Sequence, residues 1–199
     1  DSKCIISLNN LASILIQKKE FIKAESLSLN SLNINHNNNL AHYNLGVIYT
    51  NLDRISEAIN SFKKAIKFNP EDFATNLNLG ATLLKRGDYE ESKKYNDIAL
   101  KLNNKSYEAL FNLGQISLFK GDINSAIINL ENSLINKNDN YKIFRFLGIA
   151  QFLKGEKECL KNLKKSIEMN RKEDLSKVIY NVVYSKKINK KQGDYFENR

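Results

Sequence analysis

The chain has 199 residues, 42% hydrophobic and 27% charged, with a formal net charge of +9, which is the make-up of an ordinary globular protein. One Pro, eight Gly and two Cys exclude a collagen, a Pro-rich linker and a disulfide scaffold. No apolar run approaches the roughly 18 residues that span a membrane, and two His with two Cys leave little material for a zinc site.

The opening, DSKCIISLNN, lacks the basic start and apolar core of a secretory leader, so a cytoplasmic setting is expected. The chain starts on Asp1 rather than Met, and a segment of a longer protein is expected.

Taken along the chain, the elements repeat. Gly46, Gly80, Gly114 and Gly148 each follow a Leu and stand 34 residues apart. Gly87, Gly121 and Gly155 keep the same step, as do Asn38, Asp72, Ser106 and Asn140. The last four are helix N-cap types, whose side-chain oxygen accepts from an otherwise unpaired backbone N–H, so a helix is expected after each. Gly46 and its equivalents then fall inside that helix. Gly costs roughly 1 kcal/mol there against Ala, and the close approach of a second helix is the expected reason. Gly87, Gly121 and Gly155 end the first helix. Asp88 and Asp122 start the next, Asp88 with Glu91 at capping-box spacing.

The second helix carries small residues where the first comes close: Ala24, Ala58, Ser92, Ala126 and Cys159, then seven positions on Ser31, Ala65, Ala99, Ser133 and Ser166. A single helical hairpin cannot bury its apolar face, so neighbouring hairpins must stack.

The stretch HYNLGVIYTNLDRISEAINSFKKAIKFNP, residues 42–70, resembles the tetratricopeptide repeat. Leu45, Gly46, Tyr49, Ala58, Phe62, Ala65 and Pro70 match that motif, with His42 at the position usually held by Trp. The resemblance implies an all-α, right-handed α-solenoid of five helix–turn–helix repeats: 5–38 (degenerate, with Ala12 for Gly), 39–72, 73–106, 107–140 and 141–173 (one residue short). Residues 174–192 are expected to be a capping helix or the first helix of a degenerate sixth repeat, followed by a tail over 193–199. The LG–Y–A–F–A–P pattern and the period argue against the RNA-reading pentatricopeptide family.

No catalytic constellation is present: no phosphate loop, GxGxxG, HExxH or GxSxG. No catalytic residue, metal site or cofactor is therefore expected. Cys4 and Cys159 read as inert, and His42 as packed.

Function is then expected from the concave groove lined by the first helices. Asn10, Asn44, Asn78 and Asn112 recur every 34 residues, each two positions before the motif Gly or Ala12. An amide offers donor and acceptor together, which suits the backbone of an extended peptide. Tyr43, Leu77 and Phe111 are expected to give apolar pockets beside them. Lys85, Lys142 and Arg145 put positive charge at one end, where an acidic segment or a C-terminal carboxylate fits. The ladder resembles the arm of the O-linked N-acetylglucosamine transferases, which holds extended substrates. The expected function is thus a protein-interaction module binding an extended or helical segment. The alternative is the substrate-recruiting arm of a larger glycosyltransferase, sulfotransferase or methyltransferase. Nucleic-acid binding on the Lys-rich second helices is disfavoured, because no aromatic residues interleave those lysines. Nothing in the sequence fixes the oligomeric state.

Overall fold

The computed structural model describes residues 2–170 and 177–182. The chain divides into two compact units, residues 1–104 and 105–199. The first contains α1 (Ser2–Gln17), α2 (Phe21–Ile34), α3 (Asn39–Asn51), α4 (Ile55–Phe68), α5 (Phe73–Arg86) and α6 (Tyr89–Leu102). The second contains α7 (Tyr107–Phe119), α8 (Ile123–Asn136), α9 (Tyr141–Lys154) and α10 (Cys159–Met169). Within each unit an odd-numbered helix packs on its successor, and successive hairpins pack on one another.

The helix starts follow from the capping series. Asn38 Oδ1 accepts from Leu40 N at 3.1 Å, Asp72 from Thr75 N at 2.7 Å, Ser106 Oγ from Ala109 N at 3.1 Å and Asn140 from Lys142 N at 3.0 Å. Asp122 caps α8 in the same way through Ser125 N at 3.1 Å. The box expected at Asp88 and Glu91 does not form. Asp88 is drawn away by the Arg86 guanidinium and makes no capping bond, while Glu91 pairs with Lys63 at 2.7 Å.

The turns share one backbone feature at one register. Gly87, Gly121 and Gly155 have φ between 81° and 93°. The two earlier turns place Asp53 (φ 59°) and Lys19 (φ 61°) at the same spacing of 34. The left-handed residue is therefore a property of the hairpin, met by Gly in three turns and by strained residues in two.

The helical glycines sit where the two helices of a hairpin cross. A Cβ on Gly46 would lie 2.5 Å from the Phe62 ring, one on Gly114 2.7 Å from Leu130 Cγ, and one on Gly148 2.8 Å from Leu163 Cγ. The small residues of both second-helix series are all buried. In the third hairpin polar pairs replace the usual apolar contacts: Ser92 Oγ donates to Gly80 O at 2.7 Å and Asn96 Nδ2 to Ser92 O at 2.9 Å.

Within each unit, successive hairpins meet over separate cores. Leu45 and Ile48 pack with Ala24, Leu15, Phe21 and Leu32. Leu79 and Leu83 pack with Ala58, Ile59 and Phe62. In the second unit Ile143, Leu147 and Ala150 pack with Ala126, Ile127 and Leu130. Arg54 ties α2 to the α3–α4 turn, bonding Glu25 at 3.2 Å with its guanidinium 4.2 Å over the Tyr49 ring. Burial is the main cause that pushes the Tyr49 hydroxyl up to about 12.

Residues 177–182 are helical, and Ile179 and Tyr180 lie against Cys159 and Leu163. The remainder of the stretch expected over 174–192, and the tail over 193–199, lie outside the described residues.

Candidate functional site

The glycines orient the first helices. Gly46 marks the side of α3 pressed on α4, so at 3.6 residues per turn Leu40, Asn44 and Asn51 lie on the opposite side. The same offsets give Ile6, Asn10 and Gln17 on α1 and Ala74, Asn78 and Lys85 on α5. In the second unit they give Glu108, Asn112 and Phe119 on α7 and Lys142, Phe146 and Leu153 on α9.

In the first unit this side is rich in amides. Asn10 is exposed and Asn78 half-buried, whereas Asn44 is only 6% exposed. Asn44 therefore does not face water. Its Nδ2 is committed to the fold, donating to Asn9 O at 3.3 Å. Asn78 Nδ2 donates to the Tyr43 hydroxyl at 3.2 Å. Each of these amides reaches to the first helix of the preceding hairpin, one position short of the equivalent Asn. Tyr43 is half-buried against the Ala58–Phe62–Leu79 core, its ring 6.0 Å from that of Phe62. Burial raises its hydroxyl pKa. Leu77 is half-buried. Lys85 is paired with Asp53 at 2.6 Å. Sequence reasoning passed over Leu40, which is 52% exposed beside Asn44; the offset from Gly46 was the signal available.

In the second unit the corresponding side is aromatic and cationic. Asn112 is buried. The Phe146 ring meets Phe111 edge-on at 5.6 Å and Phe119 at 6.4 Å. The Arg145 guanidinium lies 5.1 Å over Phe146 and is half-buried, which lowers its pKa. Lys142 is exposed one turn earlier on α9.

His42 is packed, as its motif position implies. Its ring stacks on Phe68 at 5.9 Å, its Nε2 lies 3.1 Å from His36 O, and burial lowers its pKa. Imidazole is smaller than the indole usual at this place, and a cavity of about 360 Å³ opens beside it, lined by Leu32, His36, Lys64, Lys67 and Phe68. Cys159 is buried and Cys4 exposed. Lys63, Lys64, Lys67, Lys93, Lys94, Lys101, Lys161, Lys164 and Lys165 are exposed on the second helices, and Lys63 and Lys93 pair with Glu91 and Asp97. Among the described residues no cluster of three His, Cys, Asp or Glu side chains could hold a metal ion. No described helix is long and apolar enough to cross a membrane.

Three tetratricopeptide repeat models match the chain, over residues 40–72, 61–94 and 107–134. The chain carries tetratricopeptide repeats over residues 40–94 and 107–134. It is 32% identical over 84 residues to the BBSome complex member BBS4 of Bos taurus; the match covers 42% of this chain and 16% of that protein. Its fold is similar to that of YrrB, described as a TPR protein with an unusual peptide-binding site, with TM-score 0.74, 22% identity, and 87% and 90% of the two chains covered. PilW, a type IV pilus biogenesis factor, is similar with TM-score 0.74, 25% identity, and 83% and 77% coverage. The repeats are those of a protein-interaction scaffold.

Proposed function

We propose that the chain holds a protein segment, extended or helical, on the sides of its first helices turned away from the second helices. The observation that carries this reading is the shared register of Asn10, Asn44 and Asn78 on α1, α3 and α5. An amide has two N–H groups and an acceptor oxygen, so an amide that makes one bond to the fold keeps capacity for a peptide backbone. Asn10, exposed, and Asn78, half-buried, are the accessible rungs; Asn44 positions its neighbours. Asn112, buried like Asn44, holds the same register on α7 in the second unit. Tyr43, Leu77 and Phe111 offer apolar contact, and Lys142 and Arg145 favour an acidic segment. The repeats 5–38, 39–72, 73–106, 107–140 and 141–173 are its modules, a catalytic role is not part of the reading, and the setting is cytoplasmic. BBS4, a member of the BBSome complex, and YrrB, a TPR protein with an unusual peptide-binding site, are in keeping with it.

Selection from a displayed random-peptide library tests the reading. Peptides that bind the wild type should lose binding to an Asn10→Ala/Asn78→Ala variant whose helical circular dichroism is retained. Selected peptides that bind both proteins equally would move the contact off the first helices.

A further inference from the structure

The two units present different chemistry at equivalent positions. On α1, α3 and α5 the positions at these offsets carry the amides Asn10, Gln17, Asn44, Asn51 and Asn78, and Lys85 among them is paired with Asp53. On α7 and α9 the same offsets carry Phe119, Phe146 and Lys142, with Arg145 beside them. We propose that the α7/α9 side recognises a protein segment in which carboxylates adjoin an aromatic or large aliphatic side chain. This rests on the proposed function and names its partner class.

Three observations converge. First, Phe146 stands edge-on to both Phe111 and Phe119, and Phe119 is 54% exposed at the end of α7. Rings in that arrangement accept a further ring or a branched aliphatic chain with gain of buried area. Second, Arg145 lies over the Phe146 ring and is partly desolvated. A guanidinium in a lowered dielectric attracts a carboxylate more strongly than an exposed ammonium does, and its planar fork takes both oxygens. The acid and the apolar side chain must then be near neighbours in the segment, because Arg145 and the rings are near neighbours on the protein. Third, the charge is one-sided. Helix α9 carries Lys142 and Arg145, with Lys154 at its end paired to Glu156 at 2.9 Å, and has no Asp or Glu in its own sequence. The single acid of α7, Glu108, accepts the Ser106 hydroxyl at 3.2 Å. A basic segment meets repulsion here.

Fluorescence anisotropy with end-blocked, labelled peptides tests this. The probes are a peptide alternating Asp with Phe, its Asn-for-Asp and Lys-for-Asp counterparts, and its Ser-for-Phe counterpart. The Asp/Phe peptide should bind about tenfold or more tighter than each of the other three, as expected when an anchoring contact is lost. Its affinity should fall as salt rises. Arg145→Gln and Phe119→Ser should each weaken it by about tenfold, and Arg145→Lys should restore only part of the loss. Phe119 is exposed enough for its replacement to leave the fold in place. Equal binding of the Asn or Lys peptide, or indifference to both substitutions, overturns the inference. Binding that responds to Asn10→Ala/Asn78→Ala instead overturns it while leaving the proposed function standing. Absence of binding by all four peptides overturns it too, and the library selection then decides the broader reading.

Discussion

The Asn78 side-chain amide donates to the Tyr43 hydroxyl at 3.2 Å across an interval of 35 residues. Asn44 spans the same interval to the Asn9 carbonyl. A repeat of 34 residues brings equivalent helices side by side, and an amide two positions before the glycine then reaches the neighbouring first helix. The asparagine series is therefore partly a device for joining hairpins. Asn44→Ala should cost about 0.5–1.5 kcal/mol of stability, the usual net worth of one such bond. Asn10→Ala, at an exposed position, should stay within about 0.5 kcal/mol. Urea unfolding of the two variants separates them, and equal costs would contradict the assignment.

The first hairpin leaves open what the later ones cover. Leu11 and Ile14 are each 47% exposed, whereas Leu45 and Ile48, at the same register one repeat on, are 4% and 0% exposed. Leu45→Ala should therefore cost about 2–5 kcal/mol, with a cavity at the α2–α3 contact. Leu11→Ala should cost roughly 1 kcal/mol or less, since its transfer from water is half complete. Thermal unfolding of the pair checks the contrast.

Lys19 holds a left-handed backbone that later repeats give to Gly. A non-glycine residue there costs roughly 1–2 kcal/mol, and Gly returns part of that as unfolded-state entropy. Lys19→Gly should raise stability by about 0.5–1 kcal/mol, read as a higher urea midpoint with an unchanged slope. A lower midpoint would mean that the turn draws on Lys19 in some other way.

His42 makes the first unit sensitive to acid. Burial holds its folded pKa below the ordinary 6.5, so as pH falls the unfolded chain takes the proton first. Its contribution to stability is complete above about pH 6.5 and is lost as pH drops through the folded value. The melting temperature should decline between about pH 7 and pH 5, and His42→Phe should flatten that decline. An identical slope in the variant would assign the acid sensitivity elsewhere.

Much of the fold was legible because its marks are backbone requirements. The caps Asn38, Asp72, Ser106 and Asn140, and the crossing glycines such as Gly46 against Phe62, each answer to one local need that recurs at one period. Asp53 and Lys19 escaped notice because a left-handed turn leaves no compositional trace when a non-glycine residue fills it. The capping-box spacing at Asp88 does not yield a box because Arg86, two residues away, competes for the same carboxylate. The candidate site was less legible. Register identified Asn44 and Tyr43 but not their exposure, because a side chain on the inner side of one helix is also near the next. The rings of Phe111, Phe119 and Phe146 meet only once α7 and α9 pack together, and spacing within one helix does not reveal that.

The most direct measurement places a photo-crosslinking residue at Asn10 and at Phe119, on first helices, and at Lys67 and Lys165, on second helices, one per variant. Each variant is irradiated with a peptide recovered from the library selection, and the crosslinked fraction is read by mass spectrometry. The account predicts crosslinks from one or both first-helix positions and none above background from Lys67 and Lys165. Crosslinks confined to Lys67 and Lys165 would contradict it and place the binding surface on the second helices.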